Sequence, residues 1–285
     1  KAYQTASEEL SQKEIVFYSS LKDVEELHSK VTETGDLHYV IDTSFARLTP
    51  ADCNAAGLAK CVYDTLETSL ARISKDGYKP YWQFSNANSS RLASRFGKDK
   101  AHLLTFMQLT LPGATSLYYG QELNLKDGGS AKTGVSPQWN VMQWDVSDQG
   151  HHGFVTADKQ VDTIFFPEDK NLEDDNNYQW QFGRAGTPLK VVMSLSALRA
   201  RDEVLVTGET FKDVLKGDIL VYSRYGKPAE DEADSDRKIG KVYVVALNFG
   251  DADSTLDISA LGTDVIPAEK KEALIKATIA GVTSG

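Results

Sequence analysis

The sequence lacks a long apolar run and is poor in basic residues. No stretch of about 18 consecutive apolar residues occurs in the 285-residue chain, so we predict no membrane-spanning helix within it. Lys and Arg number 31 against 41 Asp and Glu, which gives a net charge of −10. Because nucleic-acid binding needs a clustered excess of basic residues, this deficit argues against a nucleic-acid partner.

The start of the chain also lacks a secretion signal. The first residues, KAYQTASEEL, do not show the basic and then apolar order of a signal peptide. A mature ectodomain, a fragment of a longer protein and a cytosolic protein all fit this start. The hydrophobic share of 41% and the charged share of 25% are ordinary for a globular protein and exclude wholesale disorder. A chain of this length forms one large domain or two modest ones.

Cysteine is scarce, and Cys53 and Cys61 are the two in the chain. Two buried thiols and a local disulfide are both compatible with this count. The stretch TPAD, residues 49–52, predicts a helix start from a cap, a first-turn proline and an early acid. In one unbroken helix the two cysteines would lie roughly 12 Å apart, which is too far for a disulfide. A bridge therefore requires the chain to turn back between them, and Gly57 is the natural place.

The first half of the chain alternates strand and helix signals. Short apolar runs bounded by polar residues predict buried strands, and apolar residues three or four apart predict the helices between them. Strands separated by helices of this length form right-handed βαβ units with a parallel sheet. The predicted strands are residues 15–19, 37–42, 81–85 and 116–120, and the predicted helices carry Val24, Leu27 and Val31; Leu58, Val62, Leu66 and Leu70; and Leu103, Leu104, Met107 and Leu111.

The pattern changes after Gly120. Residues 121–186 are rich in Gly, Asp, Asn and Gln and show little periodicity, which indicates a long functional or wrapping loop. A helix then starts at Thr187 and Pro188 and carries Leu189, Val192, Leu195 and Leu198, and we place the domain boundary near Arg201. Successive strands without helices follow, which indicates a separate antiparallel domain. These strands cover residues 218–225, 241–249 and 255–259, with an acidic hairpin loop at 228–238.

Four parallel strands are too few for a closed fold. A (β/α)8 barrel needs eight strands, and an open sheet of four would expose its edges. We therefore predict an α/β chain in which residues 1–201 are the C-terminal half of a (β/α)8 TIM barrel, about strands five to eight. Residues 202–285 are predicted to form a small antiparallel β-sandwich domain. The N-terminal part of the same barrel is expected upstream in a longer parent chain, and a non-covalent partner that supplies it is the alternative.

Several motifs resemble the α-amylase family of glycoside hydrolases and occur in the family's order. YWQFSNANSSRLASRFG, residues 81–97, resembles the strand-seven motif Trp-x-x-Gly-Asn-His-Asp-x-x-Arg. LTLPGATSLYYGQEL, residues 109–123, resembles the Leu-Pro-Gly…Tyr-Tyr-Gly-x-Glu motif at strand eight. MQWD, residues 142–145, together with SALRARDEVLVTG and VVALNFGD, is similar to the α-glucosidase branch. The retained motif residues are Asn86, Arg91, Tyr119, Gly120, Glu122, Trp144 and Asp145.

The catalytic positions of this resemblance are altered. A retaining glycosidase uses two carboxyl groups about 5 Å apart, and the family adds the aspartate of its Asn-His-Asp triplet. Here the triplet reads Asn86, Ala87 and Asn88, and the family's proton-donating glutamate falls on Ser19 when its strand is laid over residues 15–27. Serine cannot donate that proton, and loss of general acid catalysis alone costs on the order of 10²–10⁴-fold in rate. The nucleophile's strand would lie upstream, so the resemblance implies a pseudoenzyme with no catalytic residue, cofactor or metal in this chain.

Other polar groups are weaker candidates. Glu25 and Glu26 fall on a predicted helix, and we expect them on its solvated face. Glu122 is a stronger stray carboxylate, although its counterpart in the family is not catalytic. His151 and His152 are adjacent and do not converge on one metal ion, so we expect them on a surface loop.

An amylase-like domain without its catalytic groups is similar to the heavy chain of heteromeric amino-acid transporters. That resemblance implies a single-pass type II membrane glycoprotein whose ectodomain, on the extracellular side of the plasma membrane, stabilises and escorts a multi-pass light chain. An extracellular location favours the Cys53–Cys61 disulfide, and Asn88 starts a formal N-glycosylation sequence, Asn-Ser-Ser. The alternatives are an active α-glucosidase of the maltase type and a secreted sugar-binding pseudoenzyme without a transporter partner.

Overall fold

Two four-stranded sheets, one parallel and one antiparallel, organise the chain in its computed structural model. The predicted helix that carries Val24, Leu27 and Val31, the pair Glu25 and Glu26 on it, and the acidic loop at 228–238 lie outside the described residues. The structure describes residues 18–20, 39–54, 56–76, 79–128, 135–147, 150–156, 175–210, 214–226, 241–257 and 261–262.

The parallel sheet has its strands in chain order. They are β1 (Tyr18–Ser20), β2 (Tyr39–Asp42), β3 (Lys79–Trp82) and β4 (Ala114–Thr115). In the register of the sheet, Ser19 lies beside Val40, Val40 beside Pro80, and Trp82 beside Thr115. Parallel neighbours that are joined through helices confirm the predicted βαβ units from β2 to β4.

Helices connect β2 to β3 and β3 to β4, and they cover one face of the parallel sheet. The described helices are α1 (Ser44–Arg47), α2 (Pro50–Cys53), α3 (Leu58–Asp76), α4 (Leu92–Phe96), α5 (Lys98–Thr110), α6 (Gly150–Gly153), α7 (Tyr178–Phe182) and α8 (Pro188–Arg201). Leu66 of α3 and Met107 of α5 are fully buried in one cluster with Trp82 of β3, as their helical spacing predicts. Among the described helices, none combines the length and the apolar character that a membrane span requires.

The fourth parallel strand lies earlier than predicted. The sequence predicts a strand at 116–120, whereas β4 is Ala114–Thr115 and residues 116–118 have no regular structure. Tyr118 and Tyr119 place their rings beside a buried arginine, Arg91, instead of continuing the sheet. Their high β-propensity therefore misleads, because a tertiary contact decides the local conformation.

The predicted strand at 255–259 is also wrong where the structure describes it. Residues 255–257 have no regular structure, and 258–259 lie outside the described residues. Leu256 still packs against the buried pair Ile219 and Val221. The apolar residue in this segment thus indicates burial and not pairing as a strand.

Cys53 and Cys61 form a disulfide, with their Cα atoms 5.3 Å apart. Helix α2 starts on a capping box, in which the side chains of Thr49 and Asp52 each accept a hydrogen bond from the other's backbone N–H. The helix ends at Cys53, and Gly57, with φ +80°, turns the chain before α3 begins. Glycine adopts this left-handed conformation without steric cost, which is how the short segment returns to Cys61.

Replacing both cysteines with alanine is expected to lower the free energy of unfolding by about 2–3 kcal/mol. The two residues are 8 positions apart, and closing a short loop restricts the unfolded chain by roughly this amount. Urea unfolding of Cys53→Ala/Cys61→Ala against the unmodified protein measures the loss. Chemical reduction of the unmodified protein serves as the control and should reproduce the shift. An unchanged unfolding midpoint in both experiments would contradict the prediction.

The antiparallel sheet follows α8. It contains β5 (Glu209–Thr210), β6 (Val214–Lys216), β7 (Ile219–Tyr225) and β8 (Val242–Asn248), and β7 pairs with each of the other three. The strands predicted at 218–225 and 241–249 are thus confirmed. Tyr222 and Leu247 of this sheet are buried in the same cluster as Trp82, so one continuous core joins the two sheets. The sandwich stays a prediction, because a single antiparallel sheet lies within the described part of this region.

Asp202 links the end of α8 to the antiparallel sheet. Its Oδ2 accepts hydrogen bonds from Lys241 Nζ at 2.6 Å and from the Tyr243 hydroxyl at 2.5 Å, and its Oδ1 accepts one from the Val204 N–H at 3.1 Å. The carboxylate is 9% exposed. The hydrogen bonds from Lys241 and Tyr243 hold the pKa of the Asp202 carboxyl below its ordinary value of 3.8.

The Asp202 contacts predict a loss of stability in acid. Because its pKa is lower in the folded protein than in the unfolded chain, ionised Asp202 stabilises the fold above the ordinary pKa, and this contribution disappears as the pH falls through the folded pKa. Between about pH 4 and pH 2, the melting temperature of the unmodified protein should therefore fall more steeply than that of Asp202→Asn. Asp251→Asn, at a fully exposed carboxylate, is the control and should keep the steep slope. Equal slopes for Asp202→Asn and the unmodified protein would contradict this role.

Candidate functional site

The candidate site lies where the loops after β3 and β4 meet. In a sheet of βα units the carboxyl ends of the strands share one edge, and active sites gather there. Ser116 continues β4 by donating a hydrogen bond to the Trp82 carbonyl at 3.1 Å, so the two strands end together. The family-motif residues at 86–91 and 119–122 follow directly.

Asn86 forms a tight turn at the tip of the first loop. Its Oδ1 accepts a hydrogen bond from the Asn88 N–H at 2.9 Å, and its own N–H donates to Ser89 Oγ at 3.0 Å. Asparagine favours such turns because its side chain bonds to the backbone two residues on. The turn leaves Ala87 and Asn88, two of the three positions that the sequence predicts to be altered catalytic positions, exposed at its tip. The third position, Ser19, lies on β1, two strands away in the sheet.

A second segment holds this tip from the side. The Ala87 carbonyl accepts hydrogen bonds from Gln138 Nε2 and from Trp139 Nε1, each at 2.7 Å. The Gln138 carbonyl in turn accepts one from the Tyr118 hydroxyl at 3.3 Å. The backbone at Ala87 is therefore held in place by hydrogen bonds from residues that are distant in the sequence.

Arg91 is the buried centre of the site, with 2% of its surface exposed. Its Nε donates to Asn140 Oδ1 at 2.8 Å and its Nη1 donates to the Tyr119 carbonyl at 2.5 Å. The guanidinium lies over the rings of Tyr118 and Tyr119, 4.8 and 4.6 Å from their centroids. Burial lowers the pKa of Arg91, and the neighbouring tyrosines oppose this shift.

Asp127 ties the loop after β4 to the loop after β3. Its Oδ1 accepts a hydrogen bond from the Arg91 backbone N–H at 2.8 Å, and its Oδ2 accepts one from the Ser90 hydroxyl. Both carboxylate oxygens are thus used to hold the loops together. Ser90 is also the third residue of the glycosylation sequence that starts at Asn88, so its hydroxyl is engaged in the folded protein.

Gly120 lets the chain turn closely around the guanidinium. It has φ +82°, and a Cβ there would lie 2.4 Å from Leu125 Cδ1 and 3.0 Å from Arg91 Nη1. The 3-10 turn that follows, Gln121–Leu123, carries Glu122. Burial raises the pKa of the Glu122 carboxyl, against hydrogen bonds from the backbone at Glu122 and Gly120.

Trp144 and Asp145 belong to a neighbouring cluster. The Trp144 ring meets Tyr178 edge-on with centroids 5.7 Å apart. Asp145 Oδ1 accepts hydrogen bonds from the Ser147 N–H at 2.9 Å and from its hydroxyl at 2.6 Å. Trp144 therefore contacts α7, and Asp145 forms a local turn with Ser147. Arg91, Tyr119 and Gly120 lie together at the guanidinium, and Asn86 forms the turn that precedes Arg91.

His152 corrects an expectation from the sequence. We predicted a surface loop, but His152 is 8% exposed, and its carbonyl accepts hydrogen bonds from the N–H groups of Trp144 and Asp145 at 2.9 and 3.2 Å. Its φ of +59° lets α6 end against this segment. The side chain of His151 lies outside the described residues.

Sequence reasoning missed three residues that complete the site, namely Asp127, Gln138 and Asn140. All three come from the predicted loop at 121–186, which has no periodicity from which their partners could be inferred. The unusual length of that loop is the one signal that marked it as functional or wrapping.

Comparison with known sequences decides the family. The family described as "Alpha amylase, catalytic domain" matches residues 13–208, more than half of the chain. The chain belongs to the α-amylase family. The resemblance that the motifs indicated is thereby confirmed at the level of the family.

Named relatives of this α-amylase-family chain fall in two groups. Amino acid transporter heavy chain SLC3A1 from Rattus norvegicus is 28% identical over 219 residues, which are 72% of this chain and 28% of that protein. Maltase A1 from Drosophila melanogaster is 25% identical over 202 residues, 65% of this chain and 32% of that protein. Salivary alpha-glucosidase from Aedes aegypti is 28% identical over 200 residues, 63% of this chain and 31% of that protein. The chain thus spans less than two thirds of the length of each relative.

Solved structures of similar fold support the predicted α/β TIM-barrel class. Eubacterium rectale Amy13B superposes with a TM-score of 0.61 at 17% identity, covering 87% of this chain and 46% of that one. Bacillus licheniformis trehalose-6-phosphate hydrolase superposes with a TM-score of 0.56 at 14% identity, covering 84% of this chain and 56% of that one. At these identities the likeness concerns the fold alone.

Proposed function

We propose that this α-amylase-family chain is a non-catalytic ectodomain that serves as the heavy, ancillary subunit of an amino-acid transporter. It stabilises and traffics a multi-pass light chain and lies on the extracellular side of the plasma membrane, as part of a single-pass type II membrane glycoprotein. The similarity to SLC3A1 heavy chains over most of this chain supports the partner and the location. The altered catalytic triplet supports the absence of hydrolysis.

One observation carries the proposal: the loop at Ala87 and Asn88 has a defined architecture but carries no ionisable side chain at these two positions. The Asn86 turn, the hydrogen bonds to the Ala87 carbonyl and the buried Arg91 hold this loop in a defined shape. At its tip stand a methyl group and a neutral amide. Neither can ionise, so neither supplies the negative charge that a cationic transition state requires.

The proposal includes the remaining half of the barrel. In the described residues β1 and β4 are the outer strands of the parallel sheet. One face of that sheet is fully covered, since Val40 and Trp82 are 0% exposed, whereas Ile41 and Tyr81 on the other face are half-buried. An N-terminal half, contributed by the parent chain, would pair the outer strands and cover this second face. Residues 1–201 are then the C-terminal barrel half, and 202–285 the antiparallel β-sandwich domain.

We expect the intact protein to release no glucose from maltose or from p-nitrophenyl α-glucoside. Ala87→His/Asn88→Asp should remain inactive, and adding Ser19→Glu should be required for any turnover, because without a proton donor the rate falls by about 10²–10⁴-fold. Glucose release measured by a coupled assay checks each variant. Glucose release by the unmodified protein at a rate normal for the family would contradict the proposal that the chain is a pseudoenzyme. Turnover by the Ala87/Asn88 variant alone would show that the acid was wrongly placed at Ser19.

An active α-glucosidase is the second candidate. It is favoured by the similarity to Maltase A1 and by Glu122, whose raised pKa suits a general acid. This candidate predicts that the unmodified protein releases glucose and that Glu122→Gln does not. The heavy-chain proposal predicts no glucose release by the unmodified protein or by Glu122→Gln. The partner is tested separately by purification from detergent-solubilised membranes. Co-purification of a multi-pass membrane protein in stoichiometric amount supports the heavy-chain function. Purification of the chain without a partner favours a secreted sugar-binding protein.

A further inference from the structure

Three buried polar atoms beside Arg91 have no hydrogen-bond partner among the described residues. They are Arg91 Nη2, Gln121 Oε1 and Ser85 Oγ, on side chains of residues that are 2%, 6% and 3% exposed. All three residues line one small cavity between the loop after β3 and the turn after β4. Leaving one such atom unpaired in the interior destabilises a protein, so three in one place point to a ligand.

The size of the cavity limits what it can hold. About 10 Å³ is open to the centre of a water-sized sphere, which is room for one water molecule or one monatomic ion. The rest of its wall is formed by the apolar residues Leu92, Ala93 and Leu125 and by Asn124, whose Nδ2 donates to the Lys98 carbonyl at 3.1 Å. A sugar or any other organic ligand is therefore excluded.

The orientation of two amide groups decides the chemistry of the ligand. Gln108 Nε2 donates to the carbonyls of Trp82 at 3.2 Å and Ser116 at 2.9 Å, which fixes the nitrogen end of that amide. Gln108 Oε1 then accepts from Gln121 Nε2 at 2.8 Å. Gln121 is thereby left with its oxygen as the unpartnered atom. The ligand must donate to Gln121 Oε1 and accept from Arg91 Nη2.

We propose that this cavity is a specific site for one buried water molecule. The water accepts a hydrogen bond from Arg91 Nη2, donates one to Gln121 Oε1 and forms its third with Ser85 Oγ. A halide accepts from arginine but cannot donate to an amide oxygen, and a metal cation is repelled by the guanidinium. The water joins the loop after β3 to the turn after β4, whether or not the chain is catalytic.

A crystal structure of the intact protein at high resolution, with and without a bromide soak, tests the site. We expect one water peak at about 2.7–3.2 Å from all three atoms in both crystals, with no anomalous signal. An anomalous bromide peak in the cavity would make it an anion site and overturn the proposal. A cavity without density would overturn it as well.

A pair of serine variants tests the same site in solution. Ser85→Ala removes one of the three partners of the water and should lower the melting temperature by about 2–4 °C. Ser69 is the matched control, because it is 0% exposed with an unpartnered Oγ but lies on α3 and does not line the cavity. Ser69→Ala should leave the melting temperature unchanged or slightly raised. Equal losses in the two variants would contradict the water site.

Discussion

Replacing Arg224 with methionine is expected to lower the free energy of unfolding by at least about 4 kcal/mol, a large fraction of the stability of a typical domain. The residue is fully buried on β7, and its guanidinium donates hydrogen bonds to backbone carbonyls alone. Methionine keeps much of the volume and none of the donors, so every acceptor loses its hydrogen bond from Arg224 inside the core. The Leu205 carbonyl keeps a hydrogen bond from Arg199, and the Val204 carbonyl keeps one from the Gly208 N–H. The five acceptors are the carbonyls of Thr110, Val204, Leu205, Gly208 and Glu209.

The effect is large because Arg224 closes the end of a helix. The last carbonyls of α5 have no donors within the helix, and they carry the negative end of its dipole. Arg224 satisfies Thr110, and Arg199 satisfies Leu109 and Leu111 at 3.0 and 2.8 Å. Burial lowers the pKa of Arg224 to about 10, so the side chain stays charged at neutral pH. Arg224 thus joins the antiparallel sheet to the end of α5, and Arg199 joins α8 to the same end.

Two further variants separate the charge from the geometry. Arg224→Lys keeps the charge, but one ammonium cannot reach five carbonyls in a planar arrangement, so it should also be strongly destabilised. Arg201→Met, at an exposed arginine on α8, should change stability by no more than about 0.5 kcal/mol. Denaturant unfolding of the three variants measures these differences. A loss below about 1 kcal/mol in Arg224→Met would show that the carbonyls find other partners.

Helix boundaries were predictable because the signals act over a few residues. Thr49 and Asp52 form the capping box that their spacing predicts. Pro188 likewise starts α8, as a proline at the first helical position should. Thr187 precedes it as expected, but its hydroxyl donates to the carbonyls of Gln181 and Arg184 instead of capping the helix. The sequence therefore predicted the position of the cap residue but not the hydrogen-bond partners of its hydroxyl.

The contacts around Arg91 were beyond prediction because they join distant parts of the chain. Asp127 and Asn140 lie 36 and 49 residues away from the arginine. Neither belongs to a periodic pattern that would assign it to a helix face or a strand face. Tyr118 and Tyr119 do have a strand-like pattern, but it predicts the wrong structure, because their rings contact the guanidinium of Arg91.

Several of the residues that match the family motifs shape the site. Asn86 forms the turn, Arg91 fills the centre and Gly120 allows the close approach of the second loop. Ala87 and Asn88, where the sequence predicts altered catalytic positions, are exposed at the tip of that turn.

Gly113→Ala is expected to cost at least about 3 kcal/mol of folding free energy. Gly113 has φ +89°, and a Cβ there would lie 2.2 Å from the Pro80 carbonyl oxygen and 2.6 Å from Pro80 Cγ. Left-handed strain and overpacking each cost about 1–3 kcal/mol, and here they add. The backbone cannot move aside freely, because the Gly113 N–H donates to the Val206 carbonyl at 2.8 Å. Thermal and denaturant unfolding measure the loss.

Gly186→Ala is the matched control, because Gly186 has a similar φ of +74° but nothing within 4 Å of the added carbon. The free energy of unfolding of Gly186→Ala should fall only by the cost of placing alanine in a left-handed backbone conformation, about 1–2 kcal/mol. The difference between the two variants isolates the contact of Gly113 with Pro80, which sets the spacing between β3 and the start of β4. Equal losses in the two variants would mean that Gly113 and Pro80 do not approach this closely in solution, and the placement of β4 beside β3 would then be wrong.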